Sequence, residues 1–306
     1  MQERLKPLKK SKNKDNLAGY LFAGPWLIGL IGLGLFPIVM SFFLSFTSYD
    51  MISAPKWVGF ANYQIIFTSD KFFWTSIWNT FYHVLIAIPL GIIVGVSLAL
   101  LLNSKVKGIG VYRTLFYLPN VVSVVAMALL WLWLFQPAHG IVNGILSPIY
   151  KLFKIQPLRW YTDAKLSKIT LILMGLTTAG GSTIIYLAQM QDIPKVLYEQ
   201  ADIDGASGFY KITRITLPLM TPSIYLSLIT GLIGGFQVFT ISYIVTQGGP
   251  GRSTYYYAYH IYNTMMHDKQ MGMASALAWI LLVMVLIVTL LVMRLNKFVV
   301  YLGEEN

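Results

Sequence analysis

The chain has 306 residues, of which 56% are hydrophobic and 11% charged, and a formal net charge of +11. An ordinary soluble domain is about 25% charged, so the composition excludes a typical water-soluble globule and places the chain in the membrane class. Cysteine is absent, which excludes a disulfide framework and a thiolate metal site.

In chain order, a basic region containing Lys6, Lys9, Lys10, Lys12 and Lys14 precedes an apolar run from Leu17 to Phe46. That run exceeds the core of a secretory signal, about 7–15 residues, and lacks a small-residue cleavage site, so it reads as an uncleaved first span. No Asp, Glu, Lys or Arg occurs in 16–49, 72–104, 114–150, 169–191, 215–251 or 270–293. Each stretch is longer than the roughly 20 residues that cross a hydrocarbon core. A charge at mid-helix costs about 2.5–3.5 kcal/mol on insertion scales, whereas each large aliphatic residue contributes about −0.3 to −0.6. Stretches of this kind insert.

The predicted spans lie near 17–46, 76–102, 113–136, 167–190, 218–246 and 271–294, giving an all-α integral membrane protein of about six transmembrane helices. With the N-terminus inside, fourteen Lys and Arg fall in cytoplasmic segments and nine in the longer external loops. This bias predicts both termini in the cytoplasm. The basic tail, 1–16, then holds the N-terminus inside, 17–297 forms the transmembrane domain, and 298–306 is a second cytoplasmic tail. The external loops are Tyr49 to Phe73, Pro137 to Leu166 and Gln247 to Gln270, and Trp57, Trp74, Trp78, Trp133 and Trp160, at or near the predicted interfaces, are expected anchors. Gly91 and Gly95 have the small-xxx-small spacing that lets helix backbones approach.

Several chemistries have no counterpart in the sequence. A built-in ATP motor needs G-x-x-x-x-G-K-[ST] to cradle phosphates, and no such pattern occurs. The stretch Gly180-Gly181-Ser182-Thr183 lies mid-span without a Lys and reads as helix packing or a cavity wall. His83, His139, His260 and His267 show no metal-ligand spacing, and no nucleophile elbow appears, so the chain is not read as an enzyme. Ion-coupled carriers keep ionisable groups at mid-membrane. Arg113, Lys168 and Arg294 lie only at span ends, and the interior of all six spans lacks Asp, Glu, Lys and Arg, so uphill transport needs energy from outside the chain.

The segment 191–218, between spans four and five, predicts a helix–turn–helix at the cytoplasmic face. Asp192 is placed to cap a first helix with Pro194 in its first turn. Gly205 supplies an open turn, and a second helix runs from about Ala206 until Pro218 restarts the chain into the membrane. Glu199, Ala201, Asp204-Gly205-Ala206, Ile215 and Leu217-Pro218 together resemble the EAA motif of ABC-importer permeases, with Gln200 in place of the usual small residue. The likeness extends through Tyr20 to Ser48, Val58-Gly59-Phe60-Ala61-Asn62-Tyr63, Tyr112 to Pro119 and Gln247-Gly248-Gly249-Pro250-Gly251. It is strongest to the carbohydrate-uptake group, the maltose-transporter MalF class, without that class's extra N-terminal spans and large external insertion.

The resemblance implies a permease subunit of a binding-protein-dependent sugar or oligosaccharide importer in a bacterial cytoplasmic (inner) membrane, paired with a second homologous permease. It implies an ATPase dimer that carries the ATP and Mg, an extracytoplasmic solute-binding protein, and no cofactor on this chain. Segment 191–218 would be the coupling helix seated in the ATPase. Aligning through Leu118-Pro119, the segment before Glu199, and Gly248-Gly249-Pro250 puts Asn120, Thr177, Thr178, Phe236, Gln237 and Thr240 on or beside the MalF sugar contacts. On a single helix, Gln237 and Thr240 would share a face. Asn120, Thr177 and Thr178 differ from the MalF residues, so the particular sugar is not inherited. A same-family permease for a glycerol-phosphate-like solute and a self-sufficient carrier or channel remain open alternatives.

Overall fold

The computed structural model describes residues 12–104, 107–294 and Val299. Most of the expected tails 1–16 and 298–306, together with Lys105 and Lys297, lie outside these residues. Helix α1 (Lys12–Gly29) passes through a π-helical turn (Leu30–Leu35) into α2 (Phe36–Ser45). Within Gly19–Ser45, none of the most apolar window is buried. An all-apolar helix left uncovered needs lipid or a partner subunit as its solvent.

A two-stranded antiparallel hairpin, β1 (Thr47–Ser48) with β2 (Lys56–Trp57), pairs Thr47 with Trp57. It is a small addition to the predicted all-α class. Helix α3 (Ala61–Thr68) fastens this hairpin to the first span. The buried Asn62 amide donates to the carbonyls of Ser45 at 2.8 Å and Thr47 at 2.9 Å, which gives the Val58–Tyr63 stretch a structural role.

Helix α4 (Phe73–Leu102) is the hub of the bundle and packs on α8 (Ala164–Leu176), α9 (Gly180–Gln191), α13 (Thr221–Phe236) and α14 (Tyr257–Met266). Val96 and Ala99 meet Tyr186, Met190 and Met220 in one core cluster, and Val84 meets Leu232 and Phe236 in another. Gly95 lies against the ring of Tyr186, whereas Gly91 faces open space, so only one of the paired glycines makes a close helix contact. Arg113 donates from Nη2 to the Leu102 carbonyl at 3.0 Å, satisfying one of the orphan acceptors at the end of α4.

Two predicted spans are not single helices. Span three is α5 (Ile109–Val121) and α6 (Val124–Leu134), bent by 103°. Pro119 removes a donor from the last turn of α5, Val122 and Ser123 are extended, and the Ser123 hydroxyl caps α6 by accepting the Ala126 N–H at 3.3 Å. Span five divides after Phe236, where Gln237 terminates α13 with φ −98° and ψ 11°. The chain resumes at Thr240 and runs through a π-helical turn, Ser242–Thr246.

The segments between spans carry helices of their own, α7 (Ile141–Phe153) and α14, ahead of the last span, α15 (Met271–Met293). Four helical stretches are long and apolar enough to cross a membrane, or up to six when each bent pair counts as one span. Trp57, Trp74, Trp78 and Trp133 are exposed. Trp160 is not a free interface ring: its indole N–H donates to Asn143 Oδ1 at 2.7 Å inside the loop that contains α7.

Candidate functional site

Three helix interruptions face one another. They are the α5–α6 break, the 3₁₀ turn Thr177–Ala179 between α8 and α9, and the Gln237–Phe239 break after α13. Together they enclose a cavity of about 430 Å³. Asn120, Thr177, Thr178, Gln237 and Thr240 all line it, with Trp131, Met127, Met174 and Phe239 supplying apolar wall, and no charged residue takes part. Non-helical backbone at membrane depth occurs where it lines a cavity, and interrupted helices are how many transporters build solute sites.

The five polar residues are not equivalent. With its amide turned so that both ends are satisfied, Asn120 donates to the Thr178 carbonyl at 2.8 Å and accepts the Gly181 N–H at 3.0 Å. Its amide is therefore committed to holding α5 on the start of α9. A side chain at Gly180 would strike the Phe116 carbonyl and one at Gly181 the Asn120 amide, so the Gly180-Gly181 pair is a helix-packing contact. Thr177 and Thr178 donate their hydroxyls to the carbonyls of Met174 at 2.7 Å and Gly175 at 2.8 Å. Each hydroxyl oxygen keeps acceptor capacity toward the cavity.

Gln237 is exposed and Thr240 half-buried, and neither side chain makes a hydrogen bond among the described residues. They are not three residues apart on one helix as expected, because the helix ends at Gln237. The break itself brings them to the same wall. Phe236 requires a correction. Its ring is 1% exposed and packs edge-on against Phe81 with centroids 5.1 Å apart, so it belongs to the α4–α13 core and offers no face to the cavity.

Sequence reasoning missed Trp131, whose indole N–H is buried without a hydrogen-bond partner among the described residues. In sequence it is one aromatic among many in an unbroken apolar run. The pairing of Pro119 with the N-cap residue Ser123 was the available sign that this run bends.

The second candidate site is segment 191–218. Helix α10 (Lys195–Ile203) ends in a Schellman turn: Ala206 N–H reaches the Ala201 carbonyl at 2.8 Å and Gly205 N–H the Asp202 carbonyl at 3.1 Å. That geometry calls for a left-handed residue, and Gly205 has φ +72°. The second helix is α11 (Gly208–Lys211), a π-helical turn (Ile212–Thr216) and α12 (Leu217–Leu219). Ser207 caps it by accepting the Tyr210 N–H at 3.3 Å.

Two expectations shift here. Asp192 ends α9 instead of capping α10, whose N-cap is Pro194. Pro218 sits inside the second helix, and the bend into α13, 61°, comes after Leu219. The Lys211 ammonium meets the Asp202 carboxylate at 2.6 Å, and the Tyr198 and Thr216 hydroxyls lie 2.9 Å apart, which locks the two helices together. Ala201 is buried in the pair, and Ile215, Leu217 and Pro218 are half-buried along its base. Glu199, Asp204 and Gly205 face outward, beside Val196, Ile203 at 86% exposure and Phe209 at 77%.

A many-spanned helical bundle with an uncharged cavity at its helix interruptions and a rigid protruding helix pair is a membrane permease. Residues 87–300 match the family described as the binding-protein-dependent transport system inner membrane component, and the chain belongs to that family of ABC-importer permeases. It is 38% identical to a probable ABC transporter permease protein, YesP, of Bacillus subtilis, with 98% of this chain and 97% of that one covered. It is 31% identical to the trehalose/maltose transport system permease protein MalF of Thermococcus litoralis, over 94% of this chain and 97% of that one. Among solved structures it is similar to a chain of a bacterial ABC transporter involved in import of the acidic polysaccharide alginate. The TM-score is 0.80 at 25% identity, covering 95% of this chain and 99% of the other.

Proposed function

We propose that this chain is the permease subunit of an ATP-driven, binding-protein-dependent importer of a neutral sugar or oligosaccharide. It forms half of the translocation path, with a second homologous permease supplying the other half. The observation that carries this reading is the helix pair 195–219. It is held rigid by its own turn and ion pair, yet presents bare Ile203 and Phe209 beside the acidic Glu199. An exposed apolar patch with a charged neighbour is a docking surface. Its place between the fourth and fifth spans, with Lys195, Lys211 and Arg214 alongside, supports a cytoplasmic partner that hydrolyses ATP.

The cavity supports the substrate class. Its amide and hydroxyl groups suit exchange of hydrogen bonds with hydroxyls, and Phe239 and Trp131 offer apolar faces. The absence of Lys and Arg from its lining disfavours a phosphorylated solute, and the absence of any ionisable lining residue disfavours a self-powered, ion-coupled carrier. The names of the relatives, a trehalose/maltose system among them, agree with a sugar. Both termini and segment 191–218 lie in the cytoplasm in this reading, and a solute-binding protein delivers the sugar from outside.

Affinity purification of the tagged chain from its native membrane tests the proposal. A stoichiometric ATPase and a second permease should accompany it, and sugar uptake should stop when the ATPase is inactivated. Purification without an ATPase, combined with transport by the chain alone, would establish the carrier alternative.

A further inference from the structure

Beside the cavity lies a cluster of stacked rings that the permease reading does not use. Phe239, a cavity-lining residue, stacks on Tyr243 with centroids 5.3 Å apart and planes inclined by 20°. It also lies 5.0 Å from Tyr262, which in turn lies 5.1 Å from Tyr243 with the two phenol oxygens 3.5 Å apart. Tyr262 sits on α14 in the external segment, and its other side approaches His267 just past the end of that helix. The rings therefore form a continuous cluster from α14 to the cavity wall.

The cluster is backed as well as continuous. Tyr259 is buried behind it, nearly parallel to Tyr262 with planes inclined by 14°. Tyr259 is seated by the Gly248-Gly249-Pro250 turn: Gly248 has φ +78°, and a Cβ there would meet the Tyr259 ring at 2.7 Å and the Tyr255 ring at 2.8 Å. The turn thus holds the supporting ring at a distance only glycine permits. Tyr243 is 39% exposed and Tyr262 half-buried, so both rings keep surface that the cluster does not cover.

We propose that Phe239, Tyr243 and Tyr262 form an aromatic track that stacks the sugar units of an oligosaccharide between the external entrance and the cavity. This inference rests on the sugar-permease reading above and extends it to a preference for chain length. The chemistry follows from the rings: a pyranose offers an apolar C–H face to an aromatic ring and leaves its hydroxyls at the rim, where the phenol oxygens lie. Ring separations of about 5 Å let a sugar unit pass from one face to the next. Stacking asks little of a ligand's hydroxyl pattern, so the track reads chain length while the polar cavity residues read stereochemistry.

The test uses cells in which this chain and its partner subunits provide the only uptake route, supplied with labelled mono-, di-, tetra- and hexasaccharides of the malto-, galacto- and arabino- series. In the Tyr243→Ala/Tyr262→Ala double variant, at wild-type abundance and with ATPase copurification intact, uptake should fall about tenfold for the longest transported saccharide and progressively less for shorter ones. The Tyr243→Phe/Tyr262→Phe variant keeps the ring faces and should restore it. Equal loss at every length, no loss at any length, a loss shared by the Phe variant, or a loss explained by lowered membrane abundance overturns the track. A wild type that takes up no member of the panel overturns the sugar reading itself, and the track with it.

Discussion

The Asp70 carboxylate lies 2.7 Å from His260 Nε2, joining residues 190 positions apart, and both side chains are 5% exposed. Asp70 also accepts the N–H groups of Phe72 and Phe73 at the start of α4. With the ring proton on Nε2, His260 accepts from the Tyr255 hydroxyl at Nδ1, and Asn263 donates to that hydroxyl in turn. This network clamps α14, and with it segment 248–266, onto the hub helix.

Asp70→Ala should therefore lower the thermal unfolding midpoint of the purified protein, at a cost of about 1.5–3 kcal/mol for the charged hydrogen bond. Burial alone would raise the Asp70 pKa. The hydrogen bonds from His260 and from the Phe72 and Phe73 N–H groups outweigh burial and hold it below the ordinary value of 3.8. A depressed carboxylate stabilises the fold fully above 3.8 and loses that contribution as the pH falls through the lowered value. The gap in midpoint between wild type and variant should thus be constant from neutral pH down to the carboxylate range and close in stronger acid. A gap that widens on acidification contradicts the assignment.

The backbone at Gly205 carries a second prediction. A Cβ there meets nothing within 4 Å, so the only cost of a larger residue is its φ of +72°. For Val that cost is about 1–3 kcal/mol. The Gly205→Val chain should insert normally but turn its helix pair wrongly, lowering uptake with little loss of membrane abundance. Wild-type uptake in this variant contradicts the role given to the turn.

Glu199 faces outward, away from the bundle, so Glu199→Ala should leave folding and insertion unchanged. It should weaken ATPase copurification tenfold or more, as truncating one partner of a desolvated interfacial pair does. Full retention of the ATPase would show that the acidic residue is not part of the contact.

The cavity residues divide into two kinds, and two substitutions separate them. Asn120→Ala removes the bridge to Thr178 and Gly181 and should lower stability. Gln237→Ala removes a side chain with no hydrogen-bond partner among the described residues and should reduce uptake at unchanged stability and unchanged ATPase binding. The loss for Gln237 is about 0.5–1.5 kcal/mol if water replaces the amide and more if a buried ligand group is left unpaired. Reversed phenotypes would mean that the cavity binds solute through other groups.

How much of this was legible in the sequence depends on what each signal measures. Absence of charge reports solvent, so the spans ending in Ser45, Leu102, Gln191 and Met293 were readable to within a few residues. It does not report direction: Val122–Ser123 and Gln237–Phe239 are as free of charge as their flanks, yet the helix is interrupted at both. The helix–turn–helix of segment 191–218 was legible because Gly205 and its neighbours act locally, through turn geometry. Phe236 was misplaced because its chemistry suits a core and a cavity equally, and only the packing on Phe81 decides between them.

Reconstitution tests the central claim most directly. The chain is placed in ATP-loaded proteoliposomes with its second permease, its ATPase and its solute-binding protein, and labelled sugar uptake is compared with that of vesicles holding this chain alone. The account predicts accumulation only with all partners and hydrolysable ATP, and none from the isolated chain. Accumulation by the isolated chain, or by the full set without ATP, would contradict it.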